Sequence, residues 1–335
     1  MENKNKDISR FEMMEPMRYY DNPEPKTDGL KKKWNDIVNN NGSQYIASVK
    51  HDGDWAMFIH YEQGRNLIRS RSISKVTGKY GDYTEKLPHL VAEMDTWKDN
   101  TVVLAEICWD EPFTTANTVG TILRCLPAKA IERQREKKLK AVIFDVLMID
   151  GEDAAQLPYE ERIEMAWQGT YFYPTELVYE DFLEKADEII AAGGEGLVIQ
   201  RKDNPYMPGT RTAWRTLKLK KTLPHLDLKV IGTVEPQRLY EGDNPEAWQY
   251  KIDGIAVTKP YFNGWKNGII VDYNGVRVAV ASGLTDDDRA WLATDEAQHM
   301  IKRGGLIAEI KAMDENSQGS LRHPSLVRLR MDVDV

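Results

Sequence analysis

The segment LKLKK at residues 217–221 places two lysines where they could hold a chain of phosphates. In a strand, residues two apart share a face, so Lys218 and Lys220 point to one side while Leu217 and Leu219 point to the other. Two ammonium groups on one face suit a polyphosphate, although an ordinary amphipathic edge strand shows the same alternation. The segment therefore predicts either a phosphate-binding face or a solvated sheet edge.

Two glutamates stand at the ends of apolar segments. Glu195 begins EGLVIQR and Glu106 follows the apolar start of VVLAEICW. Carboxylate oxygens are ligands that Mg²⁺ (or Mn²⁺) prefers, and such an ion neutralises the charge that develops during phosphoryl transfer. Either glutamate alone could equally be a solvated strand end. Beside a phosphate-binding face, Glu195 is a candidate metal ligand and Glu106 a second one.

Lys50 opens the segment KHDG (50–53) at the end of a predicted strand. A lysine in such a segment is most often an exposed residue of an Asp-Gly turn. A lysine can attack phosphorus only as the neutral amine, which is scarce near pH 7, and neighbouring cations and burial favour that form. Lys218 and Lys220 are a source of such cations.

The order of these segments along the chain is more specific than any one of them. Together with Phe144 in IFDVLMIDG, they resemble the nucleotidyltransferase motifs of ATP-dependent DNA ligases. The C-terminal segment GSLRHPSLVRLRMD (319–332) is similar to the closing segment of that family's OB-fold domain, particularly in small bacteriophage ligases. The resemblance extends over about residues 45 to 332.

The resemblance implies roles for individual residues around a nucleotide. Lys50 is the expected nucleophile, which forms a covalent lysyl-AMP and releases pyrophosphate. Glu106 is expected to bind the ribose, Phe144 to stack on adenine, and Glu195 to serve the metal. The other expected nucleotide or phosphate contacts are Asp52, Gly53, Arg71 of the Ser70-Arg71 pair, Arg211, Lys218, Lys220 and Arg330.

The last predicted strand carries Arg328, Arg330 and Asp332 on one face. In the resembled family an Arg-x-Asp-Lys segment here orients the pyrophosphate as the OB-fold domain closes, so nucleotide attack depends on domain movement. Two residues depart from the family pattern. Trp55 stands where an arginine is usual, five residues after the nucleophile, and Val333 stands where a lysine is expected. We therefore expect altered contacts to the ribose and nick end, and slow self-adenylation.

The candidate site residues must be positioned by short segments in which apolar and polar side chains alternate between Gly and Asn turns. Residues 45–109 and the apolar run 141–149 predict strands. Residues 159–167 and 180–192 have helical spacing, and the second helix is expected to end at Gly193-Gly194.

A domain boundary is expected near residues 222–227, where a proline interrupts the chain. Beyond it, short strands suit a small β-barrel, for which the OB-fold is a common solution. We predict an α+β protein with a nucleotidyltransferase (adenylation) domain of mixed or antiparallel sheets at 1–222, which includes an N-terminal arm at 1–40. An OB-fold β-barrel follows at 223–335.

Composition limits the class of protein. The 335 residues carry a net charge of −8 and two cysteines, too few for a four-cysteine zinc site or a disulfide framework. No apolar run approaches the roughly 18 residues that span a bilayer, and the N-terminus lacks the apolar segment of a signal peptide. Membrane, secreted and zinc-finger proteins are not expected. We expect a cytoplasmic protein (host cytoplasm if viral) that uses ATP rather than NAD.

Three hypotheses follow. The first is a monomeric DNA ligase that uses ATP and Mg²⁺ to seal nicked double-stranded DNA, as in replication, repair and recombination. The second is an RNA ligase or a GTP-dependent capping-type nucleotidyltransferase, which share the lysine motif but which the 319–332 segment disfavours. The third is a non-catalytic OB-fold binder of nucleic acids with an inactive nucleotidyltransferase body, against which the complete set of lysines and glutamates argues.

Overall fold

The computed structural model describes residues 7–21, 27–39, 43–74, 77–109, 116–211, 214–220, 225–242, 244–315 and 318–331. The chain divides into two compact units, Met1–Lys220 (unit 1) and Lys221–Val335 (unit 2). Each unit has its own hydrophobic core.

Unit 1 contains twelve strands and six α-helices among its described residues. The strands are β1 (Tyr20–Asp21), β2 (Tyr45–Val49), β3 (Asp54–His60), β4 (Asn66–Ile73), β5 (Tyr80–Asp82), β6 (Thr101–Cys108), β7 (Lys140–Ile149), β8 (Glu152–Asp153), β9 (Phe172–Pro174), β10 (Leu177–Val178), β11 (Gly196–Arg201) and β12 (Thr216–Lys220). The helices are α1 (Asp28–Val38), α2 (Pro88–Met94), α3 (Ala116–Leu123), α4 (Pro127–Arg133), α5 (Tyr159–Glu164) and α6 (Phe182–Ala191).

These strands form two sheets within the described part of unit 1. The larger has the order β5-β4-β3-β6-β7-β8, with β9 parallel to β7, and the smaller has the order β1-β12-β11-β2-β10. Helices cover the outer face of each sheet. Leu90 of α2 and Ile122 of α3 pack on the larger sheet, and Ile37 of α1 and Phe182 of α6 pack on the smaller one.

The inner faces of the two sheets meet around α5. The Tyr159 hydroxyl of α5 donates a hydrogen bond to the Phe144 carbonyl of β7 over 3.2 Å. The Tyr159 ring packs against Ile46 of β2. A cleft between the sheets therefore receives side chains from both, and it is this cleft that positions the candidate site.

The predicted helices at 159–167 and 180–192 are confirmed as α5 and α6. Helix α2 lies between the strand segments predicted within residues 45–109, in a stretch for which no helix was predicted. Pro88 occupies the first turn of α2, where a missing amide proton costs nothing. Leu90 and Met94 are fully buried on the larger sheet, so packing rather than a long periodic pattern stabilises this seven-residue helix.

Unit 2 contains a five-stranded sheet, two short hairpins and three helices among its described residues. The strands are β13 (Leu226–Val234), β14 (Lys251–Ile252), β15 (Ile255–Ala256), β16 (Gly268–Tyr273), β17 (Val276–Val280), β18 (Leu306–Lys311), β19 (Asp314–Glu315), β20 (Leu321–Arg322) and β21 (Ser325–Met331). The helices are α7 (Lys259–Phe262), α8 (Asp286–Trp291) and α9 (Asp295–Arg303).

The main sheet of unit 2 has the strand order β17-β16-β13-β18-β21. A parallel bridge between Ser282 and Ser325 joins the chain just after β17 to the start of β21, so the two edges approach each other. Alternate residues of β18 are buried, which gives the sheet one apolar face and one charged face.

No helix among the described residues is long and apolar enough to cross a membrane.

Candidate active site

Lys50 directly follows β2 and contacts Glu195, the residue before β11. The Lys50 amide donates to the Gly196 carbonyl over 2.8 Å, which extends the β2–β11 pairing by one residue. The Lys50 Nζ donates to Glu195 Oε2 over 2.5 Å, and both side chains are mostly buried. A charge-assisted hydrogen bond of this length holds the amine at a defined place in the cleft.

Gly196 makes this contact sterically possible. Its φ is +124°, and a Cβ atom there would lie 2.1 Å from the Leu219 carbonyl oxygen of β12. A side chain at this position would push β12 away from β11. Glycine therefore allows the strand to begin in close contact with β12 while Glu195 turns towards Lys50.

Gly53 connects the lysine segment to Glu106 of β6. Its amide donates to Glu106 Oε1 over 3.2 Å, and a Cβ atom would lie 2.2 Å from the Ile107 carbonyl oxygen. Asp52, half-buried, lies in the turn between β2 and β3. Only glycine fits at position 53 of the KHDG segment, because the turn lies in close contact with β6.

Glu106 has an unusual protonation equilibrium. Burial raises the pKa of its carboxyl from 4.5 to about 7. Lys50 counteracts this rise in the pKa, whereas Asp54 and Glu195 add to it. Glu106 is therefore partly protonated at neutral pH in the ligand-free chain.

His51 follows Lys50 in the turn after β2. Burial, and secondly the charge of Lys50, lower the pKa of its imidazole from 6.5 to about 4, so the ring stays neutral at physiological pH. Its Nε2 atom is buried and has no hydrogen-bond partner among the residues that the structure describes.

Lys218 and Lys220 lie on the same sheet face as Lys50. Across β11, Lys220 is opposite Gly196 and Lys218 is opposite Val198, which in turn is opposite Ser48 of β2. Neighbouring strands are about 5 Å apart, so the backbones of Lys50 and Lys220 are separated by roughly 10 Å. The predicted alternation is confirmed, since Leu217 and Leu219 pack on the opposite face with α1 and α6.

Phe144 occupies a bulge in β7. Ile143 pairs with Ala105 and Asp145 with Leu104, so Phe144 has no partner of its own on β6. A bulge re-aims side chains. Here it turns Phe144 towards the cluster that includes Leu104 and Trp55, on the inner face of the larger sheet.

The residue after Phe144 was missed by sequence reasoning. Asp145 receives two hydrogen bonds from Arg162 of α5, Nε to Oδ1 over 2.7 Å and Nη2 to Oδ2 over 2.9 Å, and both side chains are fully buried. Arg162 Nη1 also donates to the carbonyls of Leu157 and Asn204. This ion pair fastens the bulge of β7 to α5 and so fixes the position of Phe144.

Trp55, the departure from the family pattern, lies almost fully buried on the inner face of the larger sheet, opposite Glu106 in register. The Arg69 guanidinium carbon lies 5.7 Å from the Trp55 ring centre and 4.1 Å from that of Tyr80. Arg69 is itself buried. The indole therefore packs beneath an arginine supplied by β4.

One cavity of about 490 Å³ is lined by three of the predicted residues, Arg71, Arg211 and Lys218. Arg18 and Tyr19 of the N-terminal segment line it as well. No motif pointed to Arg18, since its only signal is the cationic charge itself.

Arg330, the remaining predicted contact, belongs to unit 2, where it forms an ion pair with Asp227 of β13. Arg328 Nε donates to Glu309 Oε2 over 2.5 Å, and His225 Nδ1 lies 2.7 Å from Glu309 Oε1. The predicted common face of Arg328 and Arg330 is confirmed by their register with β18. Asp332 and Val333 lie outside the described residues.

The carboxylates of the cleft fit a magnesium ion. Among the described residues, no group of three or more His, Cys, Asp or Glu side chains could hold a metal. Mg²⁺, however, typically binds one or two carboxylates together with water and substrate phosphates. Glu195 and Glu106 supply two carboxylates beside Lys50, close enough that the charge of Glu195 helps to raise the pKa of Glu106.

The family model described as ATP dependent DNA ligase domain matches residues 29–220. The DNA ligase of Thermococcus onnurineus is 29% identical over 202 residues, which cover 57% of this chain and 34% of that protein. The DNA ligase of Thermococcus fumicolans is 29% identical over 321 residues, covering 87% of this chain and 52% of that protein. The chain thus spans between a third and about half of these relatives.

Solved structures show the same fold at low sequence identity. A Lig E DNA ligase, studied for DNA binding with a minimal scaffold, has a TM-score of 0.61 and 16% identity, covering 94% of this chain and 99% of that one. The structure named Pmar-Lig_PreS3 has a TM-score of 0.58 and 16% identity, covering 90% of this chain and 71% of that one.

Proposed function

This chain belongs to the ATP-dependent DNA ligase family, and from that premise we propose that it seals nicks in double-stranded DNA with ATP as cosubstrate. One observation carries the proposal. The amine of Lys50 is held against Glu195 in a cleft, on the sheet face that also presents Lys218 and Lys220. A nucleophile, a proton acceptor and two cations for phosphate oxygens are thereby assembled on one surface.

In the first step, Lys50 attacks the α-phosphorus of ATP. The amine must lose its proton before attack, and Glu195 Oε2, at 2.5 Å, is placed to take it. The N–P bond forms, the bond from the α-phosphorus to the bridging oxygen breaks, and pyrophosphate leaves with that oxygen. Lys218 and Lys220 stabilise the charge on the phosphate oxygens. Glu195 and Glu106 would hold Mg²⁺, which would supply further neutralisation of the phosphate charge.

The nucleoside is proposed to lie along the inner face of the larger sheet. Phe144, turned into the cleft by its bulge, stacks on adenine. Glu106, held by the Gly53 amide, accepts a hydrogen bond from the ribose. These two roles come from the family resemblance, and the position of both side chains on the cleft side of β6 and β7 supports them.

Two further steps complete sealing. An oxygen of the 5′-phosphate at the nick attacks the adenylate phosphorus, the N–P bond breaks, and the AMP is transferred to the DNA while Lys50 regains a proton. The 3′-hydroxyl then attacks the activated 5′-phosphate, the phosphodiester forms, and AMP leaves. Arg71 and Arg211, which line the cavity beside Lys218, supply positive charge for the DNA phosphates.

We further propose that unit 2 is an OB-fold. Its main strands in chain order are β13, β16, β17, β18 and β21, and β13 pairs with both β16 and β18. The parallel Ser282–Ser325 bridge joins the two edges and the helices α8 and α9 stand between β17 and β18. This connectivity supports a five-stranded Greek-key barrel. By the family resemblance, Arg330 would then contact the leaving pyrophosphate.

Intact mass spectrometry after incubation with ATP and Mg²⁺ tests the first step. We expect the chain to gain one AMP, and Lys50→Ala to gain none. Lys202→Ala is the matched control, because Lys202 pairs with Glu160 over 3.0 Å outside the cleft. A Lys50→Ala chain that still acquires AMP would contradict the assignment of the nucleophile.

A sealing assay then tests the substrate. We expect a monomeric chain to join nicked duplex DNA and to do so more slowly when RNA replaces the strand ends. Labelled GTP should not modify Lys50. Faster sealing of RNA nicks, or modification by GTP, would replace this proposal with one of the two related activities.

A further inference from the structure

The segment Glu15–Tyr19 precedes the residues that the family model matches, yet it is built into unit 1. The Arg18 amide donates to the Thr210 carbonyl over 2.9 Å, and Arg18 and Arg211 form a parallel bridge. The following residues, Tyr20–Asp21, form β1, which extends the smaller sheet beside Lys218. The segment therefore lies directly against the strand that carries the proposed phosphate-binding lysines.

Two sets of contacts fix this segment in place. Phe11 and Met17 are fully buried in the core on the inner face of the larger sheet. The buried Arg69 donates to the Phe11 carbonyl over 3.0 Å and to the Met14 carbonyl, and the Met17 amide donates to the Tyr206 hydroxyl over 3.1 Å. The backbone at Arg18 is thus held by packing and hydrogen bonds that do not involve the Arg18 side chain.

The side chain of Arg18 contributes to a strongly cationic cavity. Arg18, Arg71, Arg211 and Lys218 come from four separate segments to line the same space of about 490 Å³. Glu15 is the single carboxylate among the lining residues that the structure describes. Four cationic side chains around one space give it a positive potential, which suits a phosphate group.

The partner of Arg18 can be exchanged. Glu15 Oε2 lies 3.6 Å from Arg18 Nη2, and both side chains are 61% exposed. Such an exposed pair contributes little free energy. A phosphate, with which arginine forms two parallel hydrogen bonds, would displace Glu15 readily.

We propose that this cavity binds a phosphate of the DNA substrate and that Arg18 is a direct contact for it. Exposure distinguishes DNA from ATP as the source of the phosphate. Lys50 and Glu195 are mostly buried, as a site that encloses a nucleotide requires, whereas Arg18, Arg71 and Arg211 are exposed and accessible to a macromolecule. The inference rests on the proposed function, which it extends to the N-terminal segment.

The test measures DNA binding and lysyl-AMP formation in the full-length chain. Arg18→Ala is expected to weaken binding of nicked duplex about tenfold near physiological salt and to lower the slope of log affinity against log salt by about one. Lysyl-AMP formation should fall by no more than about twofold, because Lys50 and Glu195 are not among the residues that line the cavity. Arg18→Lys should recover part of the DNA affinity.

Two further variants act as controls. Arg10→Ala removes an arginine upstream of the Glu15–Tyr19 segment. Arg10 pairs with Asp153 over 2.6 Å and does not line the cavity, so the salt slope should stay at the wild-type value. Glu15→Gln removes the competitor for Arg18 and should strengthen DNA binding about twofold.

Wild-type affinity and salt slope in Arg18→Ala would overturn the inference. An equal loss of lysyl-AMP formation and DNA binding would also overturn it, since the cavity would then serve ATP. The proposed function fails separately, if the wild-type chain forms no lysyl-AMP or seals no nick.

Discussion

Unit 1 and unit 2 both pair cations with carboxylates, but at different depths. In the cleft of unit 1, the side chains of Lys50 and Glu195 are 19% and 11% exposed. On the charged sheet face of unit 2, those of Arg330 and Asp227 are 38% and 55% exposed. Removing one partner of a buried pair leaves a charge without solvation, whereas an exposed pair is screened by water and salt. The cleft therefore holds its charges in place, while unit 2 keeps arginines that can change partners.

This difference agrees with the proposed roles. Lys50 must meet the α-phosphorus in a defined geometry, and a buried carboxylate fixes its amine. Arg328 and Arg330 would contact pyrophosphate only transiently. Arg328 in particular lowers the pKa of Glu309, with a smaller contribution from His225, so the pair favours the ionised carboxylate while it is formed.

The largest expected effect concerns the buried pair at the nucleophile. Glu195→Gln should slow lysyl-AMP formation by about 10²- to 10⁴-fold, because an amide cannot accept the proton of Lys50. Single-turnover transfer from labelled ATP measures the rate. Glu160→Gln, which removes the partner of Lys202 outside the cleft, is the control. A rate within about tenfold of the wild type would show that Glu195 is not the proton acceptor for Lys50.

The second-largest expected effect is a loss of stability when the fully buried pair of Asp145 and Arg162 is broken. Asp145→Asn should lower the free energy of unfolding by about 3–5 kcal/mol, because Arg162 would keep its charge in a fully buried place. Urea unfolding followed by tryptophan fluorescence measures it. The double variant Asp145→Leu with Arg162→Met should recover much of the loss. If the single and double variants are equally unstable, packing rather than charge explains the effect.

Glu106 offers a pH-dependent test of burial in the cleft. Its pKa is about 7 in the folded chain and 4.5 in the unfolded chain, so the folded state binds more protons between these values. Stability should therefore fall as pH rises from 4.5 to 7, by about 2 to 3 kcal/mol from this residue.

Unfolding of the wild type and of Glu106→Gln, compared at pH 5 and pH 8 without metal, isolates this contribution. We expect the stability difference between the two chains to change in favour of the glutamine variant at the higher pH. Parallel pH profiles for the two chains would disagree with burial as the cause.

The smallest expected effect is on the free energy of unfolding when the exposed ion pair of unit 2 is broken. Asp227→Asn should change the free energy of unfolding by less than about 1 kcal/mol, and molar salt should abolish the change. Urea unfolding at low and high salt measures both. A loss as large as that expected for Asp145→Asn would remove the distinction between the two units.

Several features of the fold and the site were predictable from sequence because they depend on neighbours along the chain. The alternation of Lys218 and Lys220 with apolar residues follows from strand geometry. The glycine at 53 and the glutamates at 106 and 195 were found through their order in a family pattern. The contact between Lys50 and Glu195, 145 residues apart, depends on β2 and β11 becoming neighbours in the smaller sheet.

Other features left no local signal. Asp145 and Arg162 are ordinary charged residues in the sequence, and nothing nearby shows that both lie at zero exposure. Helix α2 is too short for a periodic pattern to stand out. The segment around Arg18 is polar and irregular, and its place beside Lys218 depends on the pairing of β1 with β12.

The amino-acid sequence by itself determined which chemical groups are available, which strand faces are apolar, and the order of segments that marks the family. Tertiary structure alone decided how deeply each charge is buried and which opposite charge it meets. The reason is physical, since the energy of a charge depends on the distance to its partner and on the water around it. Both are properties of the packed sheets, and neither is contained in the spacing of residues along the chain.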